Sequence, residues 1–221
     1  MGEIDYKYAE DAFQKTTREK RKKIIEVAID EFANNGYVNA NINDIAAKAG
    51  ISIGSMYQYF KNKEKLYQTI IDYEISQLSS ALDTILNQKT DFLTMVDMII
   101  QAIQVQTRQN INATKLYNEM TTESNAKFVD MTVRGMEGVT AKLYAAFIKD
   151  EQKHGRVRKD IEPHFFAFFL DNLFLILQFS YSSEYYKQRL KLYVSEDVFD
   201  HDDLLREQLM KFIKGAFYLH S

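Results

Sequence analysis

The stretch "AGISIGSMYQYFKNKEKLY", residues 49–67, decides the reading of this chain. It holds two glycines, three tyrosines and two serines, with lysines at 61, 63 and 65 and no acid before Glu64. Gly50 permits a sharp turn, because glycine tolerates positive φ. Ser52 suits the N-cap of a short helix that runs through Tyr59. Just upstream, "INDIAAKA" reads as another short helix, capped by Asn41, with Ile42, Ile45, Ala46 and Ala49 facing inward. Two short helices on either side of a tight glycine turn make a helix-turn-helix. A longer helix is expected over 16–35: Thr16 and Glu19 have capping-box spacing, Ile25, Ala28, Ile29 and Phe32 form one apolar face, and Gly36 is the stop signal. A fourth helix starts near Asn62 and runs towards Gln88.

In such a unit the second short helix enters the major groove, and its first residues meet base edges. Here that helix is "SIGSMYQY". Ser52, Ser55 and Gln58 supply neutral hydrogen-bonding groups for base readout, and Gly54 lets the backbone come close. Tyr57 and Tyr59 are expected to reach phosphates through their hydroxyls. Lys63 and Lys65 open the next helix, whose N-terminus favours an anion in any case. Arg18 begins the basic run "REKRKK", which reads as a phosphate contact or as a solvated helix face. Met56 and Phe60 are the expected anchors in the small core.

The pattern Phe32, Gly36, Ile45, Ala46, Ala49, Gly50, Ile51, Ser52, Ser55, Tyr57, Phe60, Lys63 and Leu66 closely resembles the N-terminal signature of the TetR family of transcriptional repressors. About 50 residues carry the likeness. Two positions depart from it. Asn41 stands where relatives usually have Thr or Ser, and Ile53 where many have Lys; both positions touch the DNA backbone in relatives. The resemblance implies an all-α protein in which residues 15–67 form a three-helix DNA-binding domain and 68–221 a larger ligand-binding and dimerisation domain. Residues 1–14 are left as an N-terminal extension without a role.

Composition agrees with helix. The 221 residues include one proline and eight glycines, a poor supply of turn formers for a many-stranded sheet. Cysteine is absent, which excludes disulfides, thiolate metal sites and a cysteine nucleophile. Residues 1–67 carry 11 Lys and Arg against 10 Asp and Glu; the remainder carries 17 against 21. The N-terminus "MGEIDYKYAEDAF" has no apolar core of a signal peptide. The apolar stretch 165–179 is shorter than a bilayer span and is interrupted by Asp171. A soluble, cytoplasmic protein is expected. The four histidines lack metal-ligand spacing, and neither a Gly-x-Ser-x-Gly nor a phosphate loop occurs. No metal, cofactor or catalytic group is expected.

Beyond residue 68 the expected helices are 63–88, 91–110, 113–122, 125–153, 163–189 and 202–218. Among the helices spanning 91–153, Met95, Met98, Ile99, Met131 and Phe147 are candidate walls of an effector pocket, since methionine adapts to varied shapes. Gln101, Gln104, Arg108, Tyr117 and Arg134 are its candidate polar groups. Core packing is the simpler reading of each apolar one. Gly135 and Gly138 inside a helix each cost about 1 kcal/mol against alanine, which a close helix contact or a pocket wall would explain. The helix after Pro163 is apolar almost all round, so a twin subunit is its natural cover. By resemblance, the last two helices form a dimer interface through Phe168, Leu175, Phe179, Leu209, Phe212 and Phe217. Asp171 falls on a polar stripe with His164, Gln178 and Ser182, read as a solvated or interfacial edge or, alternatively, as a cation site. The expected protein is a homodimeric repressor that binds an inverted-repeat DNA operator and is released by a small hydrophobic effector, with no membrane partner. The rival reading is a helical protein-interaction adaptor.

Overall fold

Residues 6–88 and 90–218 are described by the computed structural model, and the regular elements among them are helical apart from one isolated bridge between Val157 and Tyr218. The chain divides into two compact units. The first runs to Ser80 and takes in Lys115–Gly135; the second holds Ala81–Thr114 and continues from Met136.

The first unit opens with α1 (Asp11–Gln14), followed by α2 (Arg18–Asn39), α3 (Ile42–Ala49), α4 (Ile53–Tyr59) and α5 (Lys63–Leu86), whose last residues pass into the second unit. Local chemistry sets these boundaries. Thr17, not Thr16, caps α2: its hydroxyl accepts the Lys20 N–H at 3.3 Å, while the Thr16 hydroxyl donates back to the Phe13 carbonyl. A left-handed Gly36 breaks α2 near its end. The Asn41 side chain accepts the Asn43 N–H at 2.9 Å and starts α3. Gly50, at φ 72°, closes it, a conformation that costs a side-chain-bearing residue about 1–2 kcal/mol. The core of this unit is formed by Ile24, Ile25, Ala28 and Phe32 of α2, Ile45 of α3, Met56 and Phe60, and Leu66, Ile70 and Ile71 of α5. Ala49 is only half-buried.

Glu31 ties α2 to α3. Its carboxylate is buried and accepts from Lys48 Nζ (2.9 Å), the Asn41 N–H (3.2 Å) and Asn35 Nδ2 (2.9 Å). Burial alone raises a carboxyl's pKa, but these three donors bring Glu31 below the ordinary glutamate value. A depressed folded-state pKa adds stability that is present above the unfolded value and is lost as pH falls through the folded one. Urea midpoints of the wild type are therefore expected to drop on acidification through about pH 4, and Glu31→Gln to flatten that part of the profile. Superimposable profiles would show that the carboxylate does not link the two helices energetically.

The rest of the first unit is the end of α7 (Ile111–Met120), a 3₁₀ turn over Glu123–Phe128 and α8 (Val129–Thr132). A π-turn over Val133–Glu137 leads into α9 (Gly138–Lys153), so the single helix expected over 125–153 is replaced by four short-range states. Gly135 in that turn lies against α5: an added Cβ would sit 2.2 Å from Ile75 Cδ1. A close helix contact, then, accounts for this glycine.

In the second unit, α6 (Phe92–Gln109) buries Phe92, Met95, Val96, Ile99 and Ile100 at helical spacing. It packs with α9, α10 (Pro163–Ser182) and α12 (Asp202–Phe217). The helix expected over 163–189 ends at Ser183, whose extended ψ of 128° starts the separate α11 (Glu184–Tyr193). At 20 residues α10 is long and apolar enough to cross a membrane by composition, yet its Phe166, Leu170, Phe174 and Leu177 face the core of this unit. The expected polar stripe of α10 is divided: His164 is exposed, Asp171 and Gln178 are half-buried, and Ser182 is buried.

Candidate nucleic-acid interface

The turn between α3 and α4 is fixed by the backbone. The Gly50 N–H donates to the Ala47 carbonyl (3.1 Å) and the Ile51 N–H to the Ala46 carbonyl (3.0 Å). Ser52 then caps α4 by accepting the Ser55 N–H at 3.0 Å, and the two serine hydroxyls share a hydrogen bond of 2.9 Å. Met56 and Phe60 lock the inner side of α4 into the core. The outer side presents Ser52, Ile53, Gly54, Tyr57 and Gln58 to solvent, with Ser55 half-exposed and no acid on the helix. A short, firmly held helix with a neutral polar outer face is suited to reading base edges.

Two expected DNA contacts, Tyr59 and Lys63, are engaged inside the protein and need correction. Tyr59 was expected to face outward; it is 8% exposed, with its ring centroid 5.7 Å from Phe13 and 6.5 Å from Phe60. Lys63 donates to the carbonyls of Val38 (2.8 Å) and Ala40 (2.9 Å) and lies over the Tyr37 ring. Burial lowers its pKa, and its ammonium is used in closing the turn after α2. Lys65 is half-buried, donates to Gln68 Oε1 at 3.1 Å and lies over the Tyr8 ring. Arg18 and the Asn41 cap are exposed. The basic run divides: Arg21 is buried and donates to the carbonyls of Gln14 (2.6 Å) and Thr16 (2.5 Å), while Lys22 pairs with Glu26. Lys61, an exposed cation just beyond α4 that pairs with Glu10 at 3.1 Å, was not singled out from the sequence, although it opens the same "KNK" segment.

The candidate effector residues fall in both units. Tyr117, Met131 and Arg134 belong to the first unit and the others to the second. Met95 and Ile99 are fully built into the second unit's core, with Met98 and Phe147 packed against it. Gln101 is exposed. Gln104 is buried and donates to the Tyr181 hydroxyl (3.2 Å) and the Asp202 carbonyl (2.9 Å). Arg108 holds both carboxylate oxygens of Asp202 at 2.7 and 2.8 Å and also donates to the Phe199 carbonyl. Arg134 pairs with Asp130 at 2.6 Å on an exposed surface. A surface cleft of about 580 Å³ is lined by Arg108 and residues 199–204. In the first unit, burial pushes the Glu74 carboxyl up to about 7.

Of the expected interface residues, Phe168 and Phe212 are exposed at 63% and 61%, and Leu175, Phe179 and Leu209 are half-buried. Phe217 is corrected: it is 3% exposed and packs 4.4 Å from Phe166 inside the protomer.

A capped helix pair around a left-handed glycine, with an outward polar helix, defines a helix-turn-helix regulator. Residues 24–70 match the N-terminal model of the bacterial regulatory proteins of the TetR family, and the chain is a TetR-family transcriptional regulator. It is similar to the HTH-type transcriptional regulator YhgD of Bacillus subtilis, 24% identical over 167 residues, which is 76% of this chain and 86% of that protein. It is 32% identical over 75 residues to the fatty acid metabolism regulator protein of the same organism, a match that covers 34% of this chain and 39% of that protein. Among solved structures, the Bacillus subtilis regulator FadR in complex with stearoyl-CoA shares the fold, with a TM-score of 0.68 at 14% identity, covering 90% of this chain and 99% of that one.

Proposed function

We propose that this regulator is a homodimeric repressor that binds an inverted-repeat operator and is released by a small hydrophobic effector. The observation that carries the reading is the outer face of α4, where Ser52, Gly54, Tyr57 and Gln58 stand exposed on a helix anchored by Met56 and Phe60. A two-fold dimer would place two such helices in successive major grooves about 34–36 Å apart, hence the inverted repeat. Effector binding in the larger domain would favour one separation of the reading heads over the other, with a coupling of about 1–3 kcal/mol. The fold shared with a regulator solved with stearoyl-CoA supports an apolar effector. Arg108 and Arg134, the expected partners of an anionic ligand, are already engaged by Asp202 and Asp130, which supports a neutral or cationic one. The protein acts in this reading in the cytoplasm, without catalysis, cofactor or membrane.

Gel shifts with genomic fragments test it. Gln58→Ala is expected to relax preference at one base pair per half-site, worth about 1–3 kcal/mol, while leaving the salt dependence almost unchanged. Arg18→Ala is expected to weaken all sequences alike and to lower the salt slope by about one. A helical adaptor would give no salt-sensitive, sequence-selective shift at all.

A further inference from the structure

We propose that Lys7 and Lys65, gathered on the ring of Tyr8, form a phosphate-binding patch that extends the DNA interface beyond the helix-turn-helix, into the segment ahead of α1. This rests on the DNA-binding reading above and gives that segment a partner, the backbone of duplex DNA. The patch joins elements far apart in sequence. Lys7 and Tyr8 precede α1, and Lys65 lies in the first turn of α5. Each ammonium stands 5.2 Å from the centroid of the Tyr8 ring, so the two lie within about 10 Å of each other. At that range, about one Debye length at 0.1 M salt, like charges still repel. Among the described residues no ion pair relieves either lysine, and Lys65 bonds only the neutral Gln68 Oε1, at 3.1 Å. The acids beside them are already engaged: Glu10 by Lys61 at 3.1 Å and Glu64 by Lys127 at 2.5 Å. The fold thus gathers two cations without supplying their anion.

The place of the patch selects the anion. The Glu10 N–H donates at 3.0 Å to the carbonyl of Tyr59, the last residue of α4. Lys61, just beyond α4, bonds the Glu10 carboxylate, and the Lys20 ammonium lies 5.5 Å from the centroid of the Tyr59 ring. Lysines therefore collect at the end of the helix whose outer face carries no acid. A helix in the major groove has a sugar–phosphate backbone on either side, and cations at its end meet one of them. The segment is also held in place before DNA arrives. Tyr6 is buried and stacks on Tyr73 of α5, with ring centroids 6.4 Å apart, and Lys7 follows it directly. An anchored cation loses less freedom on binding than one at the end of a loose chain. The simpler alternative is two solvated lysines on a ring that only packs the N-terminal segment.

The two are separated by anisotropy titrations of the full chain with a labelled random-sequence duplex between about 50 and 200 mM NaCl, where the salt dependence counts phosphate contacts. In the Lys7→Ala, Lys65→Ala double variant, the slope of log K against log salt is expected to fall by about two for each protomer bound, one per lysine. Lys7→Arg with Lys65→Arg keeps both charges and should keep the slope. Lys142→Ala with Lys149→Ala removes as much charge from exposed positions of the second unit and should also keep it. Hydrogen exchange across α4 that matches the wild type confirms the fold of each variant. A slope that the first alanine pair leaves intact, or that the second-unit pair lowers equally, overturns the patch. So does a lysine-dependent affinity for phosphatidylglycerol vesicles beside an unchanged DNA slope, which would assign the patch to a lipid surface. A wild type that binds no duplex at any of these salt concentrations removes the DNA-binding reading and the patch with it. One that binds with a slope indifferent to Lys7 and Lys65 removes the patch alone.

Discussion

Phe13→Ala is expected to cost the first unit about 3–5 kcal/mol, enough to remove operator binding at physiological temperature. Phe13 is completely buried, with ring centroids of Tyr6 at 5.1 Å, Phe60 at 4.7 Å and Tyr59 at 5.7 Å. Tyr6 in turn stacks on Tyr73 of α5. The backbone of this segment is also held: the Glu10 N–H donates to the Tyr59 carbonyl at 3.0 Å, and Arg21 grips the carbonyls of Gln14 and Thr16. Truncating the ring would leave a cavity under α4, the helix proposed to meet DNA. Because the chain has two units, one melting curve would blur the effect, so hydrogen exchange resolved by segment is the appropriate measurement. Protection should fall in α1, the start of α2 and α4, and remain in α6 and α10. Unchanged protection in α4, or a loss below about 1 kcal/mol, would show that the N-terminal segment is an appendage rather than part of the reading head.

That segment was the least legible part of the chain. "YKYAEDAF" has neither the period of a helix nor that of a strand, and α1 is only four residues long. Its place is set by tertiary contacts that no local pattern announces. The helix-turn-helix was legible for the opposite reason. Asn41, Gly50 and Ser52 act on atoms within about four residues of themselves, where spacing alone fixes the outcome. The capping of α2 was misplaced by one residue, because Thr16 and Thr17 carry the same chemistry and the difference depends on the Phe13 carbonyl. Polar side chains were legible only when their partners were near. Asp202 is 94 positions from Arg108, and Val38 is 25 from Lys63, so both cations looked free in the sequence. The break of the helix after Gly135 was partly readable: the glycines announced a cost, and Ile75 supplies the reason for one of them.

The proposed dimer surface gives the remaining large effect: Phe168→Glu is expected to yield monomers with operator affinity lowered about a hundredfold or more. The helices α10 and α12 run antiparallel, since Phe166 meets Phe217 at one end and the Tyr181 hydroxyl donates to Asp202 Oδ1 (2.5 Å) at the other. Their inner residues fill the core of the second unit, which leaves Phe165, Phe168, Phe169 and Ile176 of α10 and Leu204 and Phe212 of α12 outside. So many large apolar groups on one pair of helices is unusual for a surface that stays in water. In a two-fold interface a single substitution places the new charge twice, and each desolvated, unpaired carboxylate costs several kcal/mol. A monomer presents one α4 instead of two and forfeits the gain from holding both half-sites at once. Phe212→Glu should act in the same way. Phe217→Glu should instead unfold the second unit, because that ring lies inside the protomer. Sedimentation of the three variants, with circular dichroism to confirm folding and gel shifts to follow the operator, distinguishes these outcomes. A folded Phe168→Glu dimer with full operator affinity would move the interface away from this face.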